Sequence, residues 1–141
     1  MNICRPFEIA LNKKETDNWE KIYVLVDIHD TIFKASYYNK ENFEWFPYAK
    51  EALQVMSNRD DICLILWTAS YTDKIQMYVD YLAKNGVHID MINDNTEIEN
   101  TTLSSFDEKP YFNIGIDDKF GFEPETDWEI LYKFLKYDKR I

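Results

Sequence analysis

Three short, almost wholly apolar runs constrain the fold of this chain more than any other feature: KIYVLVDI at 21–28, ICLILW at 62–67 and FNIGI at 112–116. Apolar residues at consecutive rather than alternate positions belong to strands covered on both faces. A weaker run, VHIDMI at 87–92, is a fourth candidate. Helical spacing separates the runs. Ala49, Ala52, Leu53 and Met56 lie on one face of a helix that Pro47 could open. Ile75, Tyr78, Val79 and Leu82 repeat the pattern, with Thr72 as N-cap and Gly86 as stop. Thr126 and Glu129 have capping-box spacing ahead of Trp128, Leu131, Phe134 and Leu135. Strands alternating with helices predict an α/β class: a three-layer, Rossmann-like parallel sheet with flanking helices. The 141 residues predict one domain, 1–141. Residues 32–46 read as an aromatic-rich flap after the first strand. Residues 93–108 lack periodicity and read as a loop.

The ends of the runs carry the chemistry. VLVDIHDTI delivers Asp27, LILWTAS delivers Thr68, and IGIDD delivers Asp117 and Asp118. Parallel sheets bind ligands at the carboxyl ends of their strands. With only three glycines there is no glycine-rich phosphate loop, so a Walker or dinucleotide site is excluded. The net charge of −10, with no basic run, excludes a duplex nucleic-acid face. An acidic protein still handles phosphorylated ligands when a divalent cation supplies local positive charge. Two scattered cysteines give neither a disulfide framework nor a metal-ligand spacing. No apolar stretch approaches the length of a membrane span, and MNICRPFEIA lacks a signal-peptide pattern, which predicts a cytoplasmic location.

Together with Lys109 in KPYFN, these pieces resemble the haloacid dehalogenase-like (HAD) superfamily. That family's pattern is a strand ending in DxDx[TV], a second strand ending in Thr or Ser, a later Lys, and an acidic pair after a final strand. Asp27, Thr31, Thr68, Lys109, Asp117 and Asp118 match in order over roughly residues 21–122. Singly, each has a plainer reading as a turn, cap or surface residue; it is the ordered set that is specific.

The resemblance implies a Mg2+-dependent phosphoester hydrolase in which Asp27 attacks phosphorus and forms an aspartyl-phosphate. It implies that Asp27, Asp117 or Asp118, and the backbone carbonyl of His29 hold Mg2+. Thr68 and the Ala69 amide would bind the phosphoryl group, Lys109 would neutralise charge and hold Asp27 ionised, and Thr31 would fix the loop after the nucleophile.

The chain departs from the pattern at two adjacent places. His29 stands where the family has its acid/base Asp, and Asp30 stands where Gly is common. Three outcomes follow: His29 serves as the acid/base itself, the aspartyl-phosphate is long-lived, or the protein binds phosphorylated ligands without efficient turnover, as a catalytically impaired regulatory module. No interval is long enough for a large cap domain, which places the chain with capless members. The substrate is a phosphorylated small molecule, nucleotide or phosphoprotein. Tyr37, Tyr38, Phe43, Trp45 and Phe46 in the flap would stack on a base or pack against the domain.

Overall fold

The apolar runs form the strands of a single parallel sheet. The computed structural model describes residues 2–34 and 43–138; Tyr37 and Tyr38 lie outside them. Among the described residues the elements are α1 (Cys4–Thr16), β1 (Ile22–Asp27), α2 (Ala49–Ser57), β2 (Ile62–Trp67), α3 (Thr72–Lys84), β3 (Met91–Ile92), β4 (Ile114–Ile116) and α4 (Asp127–Tyr137), with a 3-10 turn at Asp118–Phe120. The four strands lie in the order β3-β2-β1-β4. The class is α/β with a Rossmann-like parallel sheet and flanking helices.

Strand direction explains which face each connection covers. From β1 the chain steps outward through α2 to β2 and through α3 to β3. It then returns across the sheet to reach β4 on the other side of β1. Right-handed crossovers in opposite directions fall on opposite faces. Accordingly, α1, α2, α3 and α4 share one core with Ile22, Val24, Val26, Leu64, Leu66, Ile114 and Ile116. The alternate residues Tyr23, Leu25, Cys63 and Ile65 form a second cluster, covered by Ile98, Tyr111 and Phe112 from the long β3–β4 connection. The expected third layer is therefore a loop rather than a helix. The polar 93–108 segment contributes only a few apolar side chains to it, so this face is the thinner one. Tyr23 and Lys21 both reach Glu97 in that loop, at 3.2 and 2.8 Å, and pin it to the sheet.

Local signals held in part. Gly86, at φ 78°, ends α3 as expected. Gly86 N donates to Ala83 O and Val87 N to Leu82 O, the paired bonds of a Schellman motif, with Leu82 and Val87 buried together. Three cap readings need correction. Thr72 is the first residue of α3, and Tyr71 occupies the cap position without a side-chain bond. Thr126 is the N-cap of α4 but forms no capping-box bond; instead Asp127 Oδ2 accepts from Glu123 N at 2.8 Å. Tyr48, left-handed at φ 63°, separates Pro47 from α2. The fourth strand candidate shrinks to Met91–Ile92 and the third run to Ile114–Ile116.

Helix α1 was not anticipated. Its pattern is diluted: only Phe7, Ala10 and Leu11 are buried along thirteen residues. It is tied down by charge as well. Lys14 reaches Asp61 at 3.1 Å, and the buried Arg59 grips Asp61 through two bonds of 2.8 Å and Asp138 through one of 3.0 Å. Among the described residues no helix is long and apolar enough to cross a membrane.

Candidate functional site

The strand order places a crevice at the carboxyl end of β1. The strands after β1 are added first on one side of it and then, with β4, on the other, and a parallel sheet opens for ligands at such a switch in strand order. Register brings the sequence-predicted residues level there. Asp27 pairs with Trp67, so Thr68 lies one residue past the end of the neighbouring strand. Val26 pairs with Ile116, so Asp117 follows at the height of Asp27.

The carboxylates of Asp27, Asp117 and Asp118 each present an oxygen within 4.8 Å of the others. Thr31 ties two of them together. Its Oγ1 donates to Asp27 Oδ2 at 3.0 Å and lies 3.3 Å from Asp118 Oδ1, and it accepts from Asp118 N at 3.1 Å. Asp117 Oδ1 accepts from Lys119 N at 2.9 Å, which caps the 3-10 turn and fixes the acid pair. Burial, with the Asp117 charge next, pushes the Asp27 carboxyl up to about 6, against the pull of the Thr31 hydroxyl. Burial and the adjoining Asp118 likewise raise Asp117, against the Lys119 amide. Three acids packed this closely favour either a shared proton or a cation. Hard oxygen donors at this spacing suit Mg2+, which binds oxygen at about 2.1 Å and takes one or two carboxylates with water and phosphate.

The turn after β1 is built around Ile28. Its carbonyl accepts from Thr31, Ile32 and Phe33 amides, and Asp30 N returns to Phe33 O at 2.8 Å. This forces Asp30 to φ 58°. The conformation is one that glycine takes freely and that Asp tolerates better than most residues. The turn is anchored from α4, where the fully buried Trp128 donates its indole N–H to Thr31 O at 2.7 Å. Beyond it, Phe33 bridges to Trp45 in antiparallel fashion, with Lys34 N bonded to Glu44 O and Phe46 N to Ile32 O. These are the two described legs of the 32–46 segment. Phe33, Phe43 and Trp45 pack on Tyr78 and Tyr81 of α3.

His29 is exposed, and its Nε2 lies 3.0 Å from Tyr78 Oη. Thr68 is half-buried in the turn leaving β2, followed by the exposed Ala69, which lies outside α3 rather than at its first turn. Lys109 is exposed in the β3–β4 connection and lines a cavity of about 370 Å3 with Ser104, Phe106, Pro110 and Tyr111; among the described residues it forms no ion pair with Asp27. The position of a lysine in an irregular segment is not fixed by any strand register, so the order of motifs alone could not place it.

Asn93 went unnoticed in the sequence. It closes β3 at φ 55°, and its carboxamide accepts from Thr68 N and donates to Thr68 O, both at 2.8 Å. Its signal was an Asn at the end of an apolar run, a residue type that enters the left-handed region readily.

No family model matches the chain, and no curated protein matches it. Among solved structures it is similar to a conserved protein coded by a locus of Bacteroides thetaiotaomicron. The two share 25% identity over 82% of this chain and 90% of that one, with a TM-score of 0.64. The likeness supports the α/β fold described above.

Proposed function

We propose that this chain is a Mg2+-dependent phosphoester hydrolase of the HAD type, working through an aspartyl-phosphate on Asp27. The observation that carries the reading is the cluster of Asp27, Asp117 and Asp118 at the β1–β4 switch, with Asp27 level with Trp67 and Thr68 one residue beyond the end of β2. Asp117, Asp118 and Asp27 would hold the ion with the His29 carbonyl, and when bound it would neutralise the phosphoryl oxygens. Asp27 Oδ attacks phosphorus as the ester P–O bond breaks, and the leaving oxygen takes up a proton. Water then attacks the same phosphorus, releasing phosphate and restoring the carboxylate. His29, two residues on, is the group that carries the proton once it leaves Tyr78. Thr31 and Trp128 hold the nucleophile loop still throughout.

The test is a panel of phosphoesters and nucleotides with Mg2+, run on wild type and Asp27→Asn. Hydrolysis by wild type alone supports the reading. Absence of both hydrolysis and Mg2+ binding in wild type ends it.

A second reading is favoured by Lys109, which is exposed and forms no ion pair with Asp27 among the described residues. On it, the same scaffold is a regulatory module that binds a phosphorylated partner without turnover. Trapping of phosphate on Asp27, or a Mg2+-dependent fluoride complex, favours the enzyme. Undiminished partner affinity in Asp27→Asn favours the module.

A further inference from the structure

The last rung between β2 and β3 is made by a side chain. Strand pairing ends at Leu66 and Ile92. Asn93 follows at φ 55° and turns the chain out of the sheet, a conformation that Asn enters more readily than most residues. Its N–H still donates to Leu66 O at 2.8 Å. Its carboxamide then stands where the next peptide of β3 would have been: the oxygen accepts from Thr68 N and the nitrogen donates to Thr68 O, both at 2.8 Å. The backbone decides which amide atom is which, because an N–H needs an acceptor and a C=O needs a donor.

This rung sets the direction of the peptide group beyond it. In a planar trans peptide the C=O and the N–H point opposite ways, and no described peptide is cis. Thr68 C=O points to Asn93, on the β3 side. The N–H of that same peptide belongs to Ala69 and points away from β3. Strand β2 lies between β3 and β1, so the Ala69 N–H points to the β1 side. There β1 ends in Asp27, which pairs with Trp67, two residues before Ala69. The Ala69 N–H therefore faces the space beyond the carboxyl end of β1. Ala69 is exposed, and among the described residues nothing accepts from its N–H.

We propose that Asn93 is a positioning residue of the phosphate site: it fixes the Thr68–Ala69 peptide so that the Ala69 N–H donates to a phosphoryl oxygen. The role rests on the phosphoryl-transfer reading above and adds to it a residue that does not itself touch the substrate. An amide held in place beforehand needs no reorganisation as charge develops on the phosphoryl group. Asn is the residue that does this from φ 55°: Gly takes the conformation but has no carboxamide, and Asp has no donor for Thr68 O.

The experiment follows the Ala69 amide by 1H–15N NMR as inorganic phosphate is added with Mg2+. Phosphate and Mg2+ affinities are measured by calorimetry, and KM for an aryl phosphate by assay. The proteins are wild type, Asn93→Gly, which removes both bonds without adding charge, and Asn93→Asp, which keeps the acceptor for Thr68 N and removes only the donor to Thr68 O. In wild type the Ala69 resonance moves downfield as phosphate saturates. In both variants that movement is lost, phosphate affinity falls about ten- to a hundredfold, as for a lost hydrogen bond to a charged acceptor, and KM rises to match. Mg2+ affinity stays within about twofold of wild type. If Asn93→Gly fails to fold, Asn93→Asp and the wild-type Ala69 resonance decide. An Ala69 amide that does not respond when wild type binds phosphate overturns the role, as do variants that keep the Ala69 movement and phosphate affinity within twofold. Loss in Asn93→Asp with a folded Asn93→Gly at wild-type affinity reports the added charge and also overturns it. Loss in Asn93→Gly alone shows that the bond to Thr68 O is dispensable, and overturns it too. Wild type that neither binds phosphate nor turns over the ester overturns the phosphoryl-transfer reading, and the role with it.

Discussion

Tyr78 Oη lies 3.0 Å from His29 Nε2, with the two rings edge-on and their centroids 5.3 Å apart. The pair joins the residue after the candidate nucleophile's neighbour to the aromatic group of buried Phe33 and partly buried Phe43. Tyr78→Phe keeps that packing and removes only the hydroxyl, so it costs about 1 kcal/mol of stability in urea unfolding. It also frees His29. If His29 carries the proton, kcat for an aryl phosphate changes severalfold while KM holds, and Tyr78→Phe has no effect on turnover in a His29→Ala background. An equal effect in both backgrounds would show that Tyr78 acts by packing alone.

Asp117→Asn removes one of three crowded carboxylates. It is expected to stabilise the metal-free protein by about 1 kcal/mol, since a like-charge contact disappears, while abolishing the thermal shift caused by Mg2+. The pH dependence follows from the same crowding. Asp27 is raised to about 6, so the folded state keeps a proton that the unfolded state has released. Without metal, this group's contribution to stability is full below the ordinary carboxylate range and is lost as pH rises through about 6. Mg2+ must displace that proton, so its thermal shift is small at pH 5 and grows to a plateau above pH 7. A shift that is flat from pH 5 to 8 would argue that Asp27 is not a ligand.

Asp30 sits at φ 58° because three amides converge on Ile28 O. Asp30→Gly is therefore tolerated and changes stability by less than about 1 kcal/mol, whereas Asp30→Val is destabilised by about 1–2 kcal/mol. The comparison is made by chemical denaturation.

How much was legible depended on whether a residue's place is set locally. Asp27, Thr68 and Asp117 end apolar strands, and parallel register then puts them side by side; the sequence pattern contains that information. Gly86 ends its helix through its own backbone freedom. The bond from Trp128 to Thr31 spans 97 residues and leaves no periodic trace. Tyr78 was read only as a core position, because spacing reports burial and not where a hydroxyl points. Asn93, just past a short apolar run, and Lys109, in a polar stretch, both lie where no pattern fixes the direction of a side chain. One clamps the Thr68 backbone and the other forms no ion pair with Asp27 among the described residues.

Trp128 offers the most direct way to ask whether α4 holds the active loop. Its ring is fully buried against Phe122, with centroids 4.8 Å apart, and its N–H reaches Thr31 O at 2.7 Å. Trp128→Ala would confound the question, since truncating a buried aromatic costs about 3–5 kcal/mol through the cavity alone. Trp128→Phe keeps much of the packing but leaves the Thr31 carbonyl without its donor, for an expected loss of about 1–3 kcal/mol. Thr31 bonds both Asp27 and Asp118, so loosening its backbone spreads the acid cluster. Trp128→Phe therefore weakens Mg2+ binding severalfold by calorimetry at a temperature where the variant is fully folded. Destabilisation with unchanged Mg2+ affinity would show that the loop is held by the Ile28 turn and needs nothing from α4.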